Sequence, residues 1–443
     1  MPVLETFGPG MAVYRYAEQS KEELEQLLLR PKIDFSGVFA RVQPIIDDVR
    51  DRGDEAVLEL TAKFDRVELP LADLVVDVAS LPDPELAPEI KAAFDVAYAN
   101  ITKFHAAQVR APIKVETMPG IECNRICRPI ERVGLYVPGG TAVLPSTCLM
   151  LGVPSQIAKC TTVVLATPPR SDGSICPEVI YAAKKCGVHK ILRAGGAQAV
   201  AAMAYGTASC PKVDKIVGPG NQYVTSAKMM LQNAGDAMVA IDMPAGPSEQ
   251  LAIADKTANL KYFVADVLSQ AEHGTDSQVV AVILEQDFDL PGFKAELESQ
   301  LAALNRSEIA AEAVSKSFAM LVSSKEEALA FTNDYAPEHL VIQTDDCDDY
   351  CDGVINAGSI FLGHYTPESV GDYASGTNHS LPTYGYARMY GGVSVDTFVK
   401  YITMQKLTAE GLKNVGPSVE IMATVEDLGA HRNAVTVRLQ DLA

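Results

Sequence analysis

The sequence predicts an α/β fold with two Rossmann-like parallel-sheet domains and helical extensions at the N- and C-terminal ends. Residues 121–244 repeat an apolar strand, a glycine turn and a helix of small residues, and residues 245–385 alternate strands with helices again. Helical spacing is most evident near the two ends of the chain. Strands that alternate with helices in this way form parallel sheets joined by crossover helices.

The length of 443 residues is too great for one ordinary core, and changes in pattern divide the chain into parts. Residues 1–30 are predicted to form a helical extension, and residues 121–244 an α/β domain. Residues 31–120 are grouped with residues 245–385 in a larger α/β domain. Residues 386–443 are predicted to be a short helical tail that is too small to fold alone.

Helical periodicity is clear in the segment that follows residue 34. Val38, Val42 and Ile46 recur at four-residue steps, which predicts a helix with one apolar stripe. Gly53 interrupts that helix before another one begins. A further helix is predicted over residues 84–108, so the first hundred residues are expected to be mostly helical.

Glycine turns follow three apolar strands of the 121–244 domain. Glycine lets a backbone approach a ligand closely, and a helix N-terminus offers free N–H groups and a positive dipole end. This arrangement suits a pyrophosphate or a nucleotide. The alternative is that α/β turns favour glycine in general, and no G-x-G-x-x-G fingerprint is present. The turns are Pro138-Gly139-Gly140, Ala194-Gly195-Gly196 and Gly218-Pro219-Gly220.

Polar residues at these turns strengthen the nucleotide interpretation. Tyr136, Gln198 and Asn221 lie where strands end or helices begin. In an open parallel sheet that edge is where ligands bind. Each residue also has an ordinary interpretation, because Asn221 can serve only as a helix cap and Tyr136 can serve only in packing.

A second α/β stretch lies further along the chain. Strands are predicted at 251–253, 279–283 and 359–362, and a helix over 261–272 connects the first two. Residues 363–385 are rich in Gly, Ser, Thr, Asn and Pro. A connection of this length favours a functional loop.

The composition excludes several classes of protein. Lys and Arg number 37 against 57 Asp and Glu, a net charge of −20, which argues against binding to nucleic acid or an anionic membrane. The hydrophobic fraction of 48% excludes a disordered chain. Nine scattered cysteines favour a reducing compartment over a disulfide scaffold. With no predicted membrane span and no evident leader, we expect a soluble, cytoplasmic protein.

Gln270 and His273 are predicted to share one face near the end of a helix, because they are three residues apart. Imidazole is a good zinc ligand, and an amide carbonyl is a possible oxygen ligand. The alternative is a C-terminal histidine that interacts only with the helix dipole.

Glu338 and His339 are adjacent and follow Pro337. An adjacent acid and imidazole can provide two proton carriers at one reacting carbon. An acid just after a proline is also typical of the first turn of a helix, so both interpretations remain open. Residues 371–379 combine small and polar residues with Asp372 and His379, a composition that suggests the wall of a site.

Two C-x₃-C pairs raise the possibility of a four-cysteine zinc site. They are Cys123 with Cys127 and Cys347 with Cys351. Structural zinc sites more often use closer pairs, such as C-x₂-C. We therefore interpret these cysteines as ordinary reduced thiols.

Eight sequence blocks, taken together, resemble histidinol dehydrogenase over nearly the whole chain. The blocks are long and occur in the family's order. They are GLYVPGGTA at 134–142, RAGGAQA at 193–199, VGPGNQYV at 217–224, IDMPAGPSE at 241–249, LSQAEHG at 268–274, YAPEHL at 335–340, VGDYASGTNHSLPT at 370–383 and GAHRNAV at 429–435.

This resemblance implies a zinc enzyme that oxidises L-histidinol to L-histidine with two NAD. It assigns catalysis to Glu338 and His339, and it places the metal and catalytic residues in the larger domain. It also implies an intertwined homodimer whose C-terminal tail serves dimerisation, with His431 reaching the partner's site. The implied zinc ligands are Gln270, His273, Asp372 and His431; the cofactor contacts are Tyr136, Gln198 and Asn221; the substrate contacts are Ser248, His379 and Glu426 together with Gln270, His273, His339, Asp372 and His431.

Other functions remain open from the residues alone. A related zinc and NAD dehydrogenase of another small polar alcohol would share these blocks. A regulator that binds the cofactor without turnover would be expected to lose the pair Glu338 and His339. A metallohydrolase would leave the glycine-turn domain without a role. Cys148 and Gln250 are small departures beside motif positions, for which we expect no catalytic consequence.

Overall fold

The computed structural model describes residues 3–30, 35–139 and 143–443. The strands of this part of the chain are β1 (Glu5–Phe7), β2 (Met11–Arg15), β3 (Val75–Asp77), β4 (Ile113–Met118), β5 (Ile121–Pro129), β6 (Arg132–Tyr136), β7 (Thr162–Ala166), β8 (Lys190–Leu192), β9 (Lys215–Val217), β10 (Ala240–Ile241), β11 (Glu249–Ala254), β12 (Gln278–Leu284), β13 (Phe318–Val322), β14 (His339–Gln343), β15 (Ser359–Leu362) and β16 (Val399–Leu407).

The α-helices alternate with these strands through most of the chain. They are α1 (Lys21–Leu27), α2 (Phe35–Arg52), α3 (Asp54–Phe64), α4 (Leu71–Leu74), α5 (Pro88–Ala106), α6 (Pro145–Ala158), α7 (Pro177–Lys185), α8 (Gly196–Tyr205), α9 (Gln222–Asn233), α10 (Leu260–Ala271), α11 (Leu290–Ala303), α12 (Ser307–Ser315), α13 (Lys325–Tyr335), α14 (Glu368–Tyr373), α15 (Ala409–Val425) and α16 (Gly429–Asp441). Short 3₁₀ helices lie at Tyr16–Glu18, Val78–Ser80, Cys347–Gly353, Tyr386–Arg388 and Val395–Phe398.

A seven-stranded sheet forms the larger α/β unit, in the order β1-β2-β13-β12-β11-β14-β15. Its strands from β2 to β15 are parallel, and β1 is antiparallel to β2. Helices α10, α11 and α12 bury one face of this sheet, and α1 and α13 cover the other. The prediction of an α/β fold with parallel sheets is confirmed here.

The N-terminal segment differs from its predicted helical form. Strands β1 and β2 extend the seven-stranded sheet, and only α1 is α-helical within residues 3–30. The reason is an alternating pattern at Met11 and Val13, whose side chains are both fully buried. Alternation at a period of two is the pattern of a strand, and this segment is too short for it to stand out in the sequence.

A six-stranded sheet forms the second α/β unit, in the order β10-β9-β6-β7-β8-β3. Its strands are parallel except β3, which is antiparallel to β8. Helices α2, α3, α8 and α9 cover one face, and α5, α6 and α7 cover the other. The three predicted strand–turn–helix units lie here, although residues 140–142 of the first turn are outside the described residues.

The helical segment before residue 107 packs on this second sheet. This differs from the predicted grouping of residues 31–120 with the larger domain. The apolar stripe of α2, which includes Val38 and Val42, lies against the small residues of α8 and α9. Strand β3 also joins this sheet, at its edge. Periodicity reveals that a helix has a buried face, but it does not reveal which surface buries it.

The C-terminal region contains a strand as well as helices. Strand β16 pairs with β5 in a three-stranded antiparallel sheet, β16-β5-β4, and α15 and α16 pack on each other. Most residues of β4 and β16 are exposed in the single chain. None of the helices in the described residues is long and apolar enough to span a membrane.

Candidate active site

The Glu338 and His339 pair lies at the amino end of strand β14, between β11 and the edge strand β15 of the larger sheet. Helix α13 ends at Tyr335, and Ala336 then adopts a left-handed conformation with φ of 52° before Pro337. His339 is the first residue of β14, so the residues after Pro337 lead into a strand. They do not form the first turn of a helix, which was the alternative interpretation of the proline. Glu338 and His339 are only 5% and 3% exposed.

Both side chains are held by the backbone of one neighbouring residue. The N–H of Glu249, at the start of β11, donates to Glu338 Oε2 at 2.9 Å. The carbonyl of Glu249 lies 3.3 Å from His339 Nδ1. If Nδ1 carries the proton, it donates to this carbonyl and leaves Nε2 as the basic nitrogen. His339 Nε2 lies 3.4 Å from Asp372 Oδ1.

Burial and neighbouring charges shift the pKa values of this pair. Burial raises the pKa of the Glu338 carboxyl to about 8, although His339 opposes that shift. Burial would lower the pKa of His339, but the carboxylates of Glu368, Glu338 and Asp372 outweigh it and raise that pKa above its ordinary value. Perturbed groups of this kind at the end of a strand are typical of a catalytic site.

A possible metal-binding cluster adjoins the pair. Ligand atoms of His273, Glu368 and Asp372 all lie within 4.8 Å of one another. His273 follows the end of α10, while Glu368 and Asp372 lie one turn apart on α14. Gln270, in the last turn of α10, is fully buried, and neither its amide oxygen nor its amide nitrogen has a hydrogen-bond partner among the described residues.

The donor set fits zinc. Buried polar atoms are nearly always satisfied, so the unpartnered amide of Gln270 indicates a missing ligand. An imidazole nitrogen, carboxylate oxygens and an amide oxygen are donors that zinc accepts. The structure therefore brings together His273 and Asp372 from the predicted ligand set, with Gln270 one turn from His273.

His379 borders this cluster, and Ser248 borders β11. His379 Nδ1 lies 2.9 Å from the Asp372 carbonyl, and its Nε2 lies 3.1 Å from Thr147 Oγ1. Ser248 is half-buried and immediately precedes Glu249 at the start of β11. Both predicted substrate contacts thus lie beside the residues that hold the catalytic pair.

Two predicted site residues stand apart in the single chain. Glu426 caps α15 and His431 lies on α16, and both are exposed. Helix α16 has no buried residue within this chain. The cluster of possible metal ligands in the described residues does not include His431.

The predicted cofactor residues lie at the carboxyl end of the six-stranded sheet. Tyr136 ends β6, and its hydroxyl accepts a hydrogen bond from the N–H of Gly196 at 2.9 Å. Burial raises the pKa of Tyr136 to about 12. Gln198 is buried in the first turn of α8. The Asn221 side chain accepts from the N–H groups of Tyr223 and Val224, so it does cap α9 as the ordinary interpretation required.

The turn at Gly218 requires glycine. Its φ is +132°, and an added Cβ would collide with the carbonyl oxygen of Tyr136. A buried ion pair between Lys228 and Asp242 supports this turn, because Lys228 donates to the Gly218 carbonyl and Asp242 accepts from the Gly218 N–H. The backbone of the turn is therefore held close to the end of β6, at the edge where a cofactor can bind.

Sequence reasoning missed several residues of the site. Glu368 lies four residues before Asp372, a helical spacing that places both on one face and offered the only available signal. Gln250, for which we expected no catalytic consequence, is fully buried and donates to Glu368 and to the carbonyl of Asp266. Glu249 was recognised only as the last residue of the block IDMPAGPSE at 241–249.

The cysteines do not contribute to the possible metal cluster found in the described residues. All nine are free thiols. Cys123 and Cys127 lie in β5, and Cys347 and Cys351 lie in the 3₁₀ helix Cys347–Gly353.

Comparison with known proteins agrees with the resemblance seen in the sequence blocks. A family model described as histidinol dehydrogenase matches residues 28–439. The chain is 61% identical to the chloroplastic histidinol dehydrogenase of Oryza sativa subsp. japonica, covering 98% of this chain and 91% of that protein. It is 58% identical to the Arabidopsis thaliana protein of the same name, covering 98% and 92%.

A solved structure has the same fold. The crystal structure of histidinol dehydrogenase from Elizabethkingia anophelis aligns with a TM-score of 0.91 at 44% identity, covering 99% of this chain and 100% of that one. The mixed α/β architecture is thus shared over the full length of both chains.

The predicted cytoplasmic location is wrong, because both plant relatives are chloroplastic proteins. The composition could not distinguish the two compartments, because an acidic chain with reduced thiols is compatible with both. From the family model, the two plant relatives and the shared fold together, the chain belongs to the histidinol dehydrogenase family of oxidoreductases, which act in histidine biosynthesis.

Proposed function

We propose that this chain oxidises L-histidinol through L-histidinal to L-histidine with two NAD and a bound zinc ion, as the last step of histidine biosynthesis. The buried pair Glu338 and His339 beside the cluster of His273 and Asp372 carries this proposal. Glu338 and His339 are two groups that can take up protons, next to a site suited to a cation. Both groups are shielded from bulk water.

Gln270, His273, Asp372 and His431 would hold the zinc ion. Bound zinc supplies a fixed positive centre that orients the imidazole and amine nitrogens of the substrate and polarises its alcohol oxygen. Ser248, His379 and Glu426 would complete the substrate pocket. His379 lies beside Asp372, and its contacts with the Asp372 carbonyl and Thr147 Oγ1 fix the orientation of its ring.

His339 in its neutral form would accept the hydroxyl proton at Nε2 as the first hydride leaves the carbinol carbon for NAD. The Glu249 carbonyl keeps Nδ1 engaged, so the basic nitrogen faces the Asp372 side of the site. The same imidazole would accept a proton again when the hydrated aldehyde loses the second hydride.

Glu338 would accept a proton from the water that attacks the aldehyde between the two hydride transfers. Its carboxyl is buried, with a pKa of about 8, so it is a stronger base than an exposed glutamate. The N–H of Glu249 holds Oε2 in place while leaving the other oxygen available.

Tyr136, Gln198 and Asn221 would contact the cofactor. They lie at the carboxyl edge of the six-stranded sheet, beside two glycine turns that each lead into the N-terminus of a helix. That chemistry suits the pyrophosphate of NAD.

We also propose an intertwined homodimer in which His431 and Glu426 complete the partner's site. Both residues are exposed on the tail, and the tail carries a large exposed apolar surface that includes Ile402, Met404 and Ile421. Apolar surface of this extent on a single chain favours a protein interface.

Purified protein loaded with zinc tests the reaction directly. Histidinol should drive NADH formation, and removal of zinc with a chelator should abolish it. NADH formation with another small polar alcohol, but none with histidinol, would favour a paralogous dehydrogenase. Binding of NAD without any turnover would contradict an enzymatic role.

A plastid location is proposed from the two chloroplastic relatives. The protein as its gene encodes it, fused to a fluorescent protein, should accumulate in plastids of a plant cell. Diffuse cytoplasmic fluorescence from the same fusion would contradict this location.

A further inference from the structure

A buried ion pair connects the N-terminal segment of the chain to β11, the strand that pairs with β14 beside the catalytic residues. Arg30 Nε donates to Glu249 Oε2 at 2.8 Å, and Arg30 Nη2 donates to Glu249 Oε1 at 2.9 Å. The two side chains are only 7% and 2% exposed. The pair is therefore bidentate and almost completely removed from water, the geometry in which an arginine fixes a carboxylate most firmly.

Arg30 also contacts the helix that precedes the catalytic residues. Its Nη2 donates to the carbonyl of Tyr335 at 2.5 Å, and its Cζ lies 3.4 Å from the centre of the Tyr335 ring. Tyr335 is the last residue of α13, just ahead of the turn that leads to Glu338. One guanidinium thus holds the end of α13 and the start of β11 at a fixed separation.

The backbone of Glu249 reaches both catalytic side chains. Its N–H donates to Glu338 Oε2 at 2.9 Å, and its carbonyl lies 3.3 Å from His339 Nδ1. A rotation of this backbone would move both partner atoms together. The conformation at Glu249 therefore affects the orientation of the water-activating carboxylate and of the imidazole at once.

We propose that Arg30 and Glu249 are positioning residues that align Glu338 and His339 through the backbone of Glu249. This inference rests on the catalytic roles proposed above for Glu338 and His339. Stability alone is a poor explanation of the pair, because a buried ion pair is often no more stabilising than apolar residues of the same volume. The charged pair adds a single bidentate geometry at Glu249, the residue whose backbone N–H and carbonyl contact the two catalytic side chains.

Two conservative variants test the alignment in the zinc-loaded enzyme. Arg30→Lys keeps the charge but cannot form the bidentate contact, and Glu249→Gln keeps the size and both backbone groups. Each should lower kcat by about tenfold to 100-fold, since small misplacements of reacting groups have effects of that size. The KM for histidinol and the zinc content should stay within about twofold, since neither residue is among the proposed ligands of substrate or metal.

A control uses a partly exposed ion pair elsewhere in the same sheet. Arg15, in β2, pairs with Glu285 at 3.0 Å. Arg15→Lys should leave kcat unchanged. An equal loss of kcat in Arg15→Lys and Arg30→Lys would overturn the proposal, since the effect would then come from general loosening of the sheet.

A double variant separates alignment from stability. Arg30→Met combined with Glu249→Met removes both buried charges and fills the space with apolar atoms, so Tm should return close to that of the unsubstituted protein. The proposal predicts that kcat remains at least about tenfold low despite this recovery. Recovery of kcat together with Tm would assign the pair a purely structural role and overturn the proposal.

The ¹⁵N resonances of the His339 ring provide a readout that does not depend on turnover. In Arg30→Lys they should shift as the hydrogen bond from Nδ1 to the Glu249 carbonyl changes, while in Arg15→Lys they should not. Unchanged His339 resonances in Arg30→Lys would contradict the inference even if kcat fell. Failure of the unsubstituted protein to oxidise histidinol would instead contradict the proposed function, and this spectroscopic test would still stand.

Discussion

Glu338 illustrates, at the scale of single residues, how burial sets the chemistry of this site. Glu338 follows a proline in the sequence, which is compatible with the start of a helix. In the structure it is buried where β14 begins, and this burial raises the pKa of its carboxyl to about 8. The sequence indicated an acid beside an imidazole. It could not indicate the burial that makes the acid a useful base, because the groups beside Glu338 come from β11 and α14, in distant parts of the chain.

Oxidation of histidinal should therefore depend on the ionisation of Glu338. The working base is the charged form, so the rate should rise as pH increases through the pKa of about 8 given by burial. Bound zinc adds positive charge nearby and moves the midpoint below that value. Profiles of kcat/KM against pH with histidinal as substrate measure this, because they report the free enzyme.

Glu338→Gln should lower the rate of histidinal oxidation by about 100-fold or more, as expected when a general base is removed. Alcohol oxidation should be less affected, because His339 remains. Single-turnover measurements with histidinol and with histidinal compare the two steps. Equal losses in both, or an unchanged pH profile for histidinal in the glutamine variant, would exclude the water-activating role.

Individual elements were predictable to different degrees. The strand–glycine–helix units of the six-stranded sheet could be read from the sequence because Gly218 and Gly196 occupy positive-φ positions. Strands β1 and β2 were missed because three and five residues carry too little periodicity. The helical stripe of α2 was visible, yet its partner surface on α8 and α9 was not, since a stripe carries no record of what it packs against.

Asn221 has two possible roles at the start of α9, and two substitutions separate them. Asn221→Ala removes the cap and should destabilise the protein by about 1 kcal/mol. Asn221→Asp keeps the cap, so Tm should be retained, but its charge should weaken NAD binding through repulsion of the pyrophosphate. Thermal melts and NAD titrations measure the two effects. Unchanged NAD affinity in Asn221→Asp would leave Asn221 with the capping role alone.

The whole molecule places the predicted site residues in two groups. Gln270, His273, Asp372, Glu338 and His339 come together within one chain, at the amino ends of β11 and β14. Glu426 and His431 remain exposed on the tail. The resemblance implied this separation through a partner subunit, and nothing in composition or periodicity could have predicted it.

A shared site has a direct test in mixed dimers. His431→Ala should lower zinc content, because one proposed ligand is lost. Heterodimers purified with two different affinity tags, one subunit carrying His431→Ala and the other His339→Ala, should regain about half of the unsubstituted activity, because one of two sites is then complete. Verified heterodimers as inactive as either parent would rule out a site completed by the partner.

In the proposed reaction a single site carries out a four-electron oxidation, and His339 and Glu338 act in turn on the alcohol and on the aldehyde. The amount of NADH formed per histidinol consumed tests it most directly. Roughly two NADH should form for each histidinol, with histidine as the product, because each hydride transfer reduces one NAD. A yield of roughly one NADH with histidinal released into solution would contradict it.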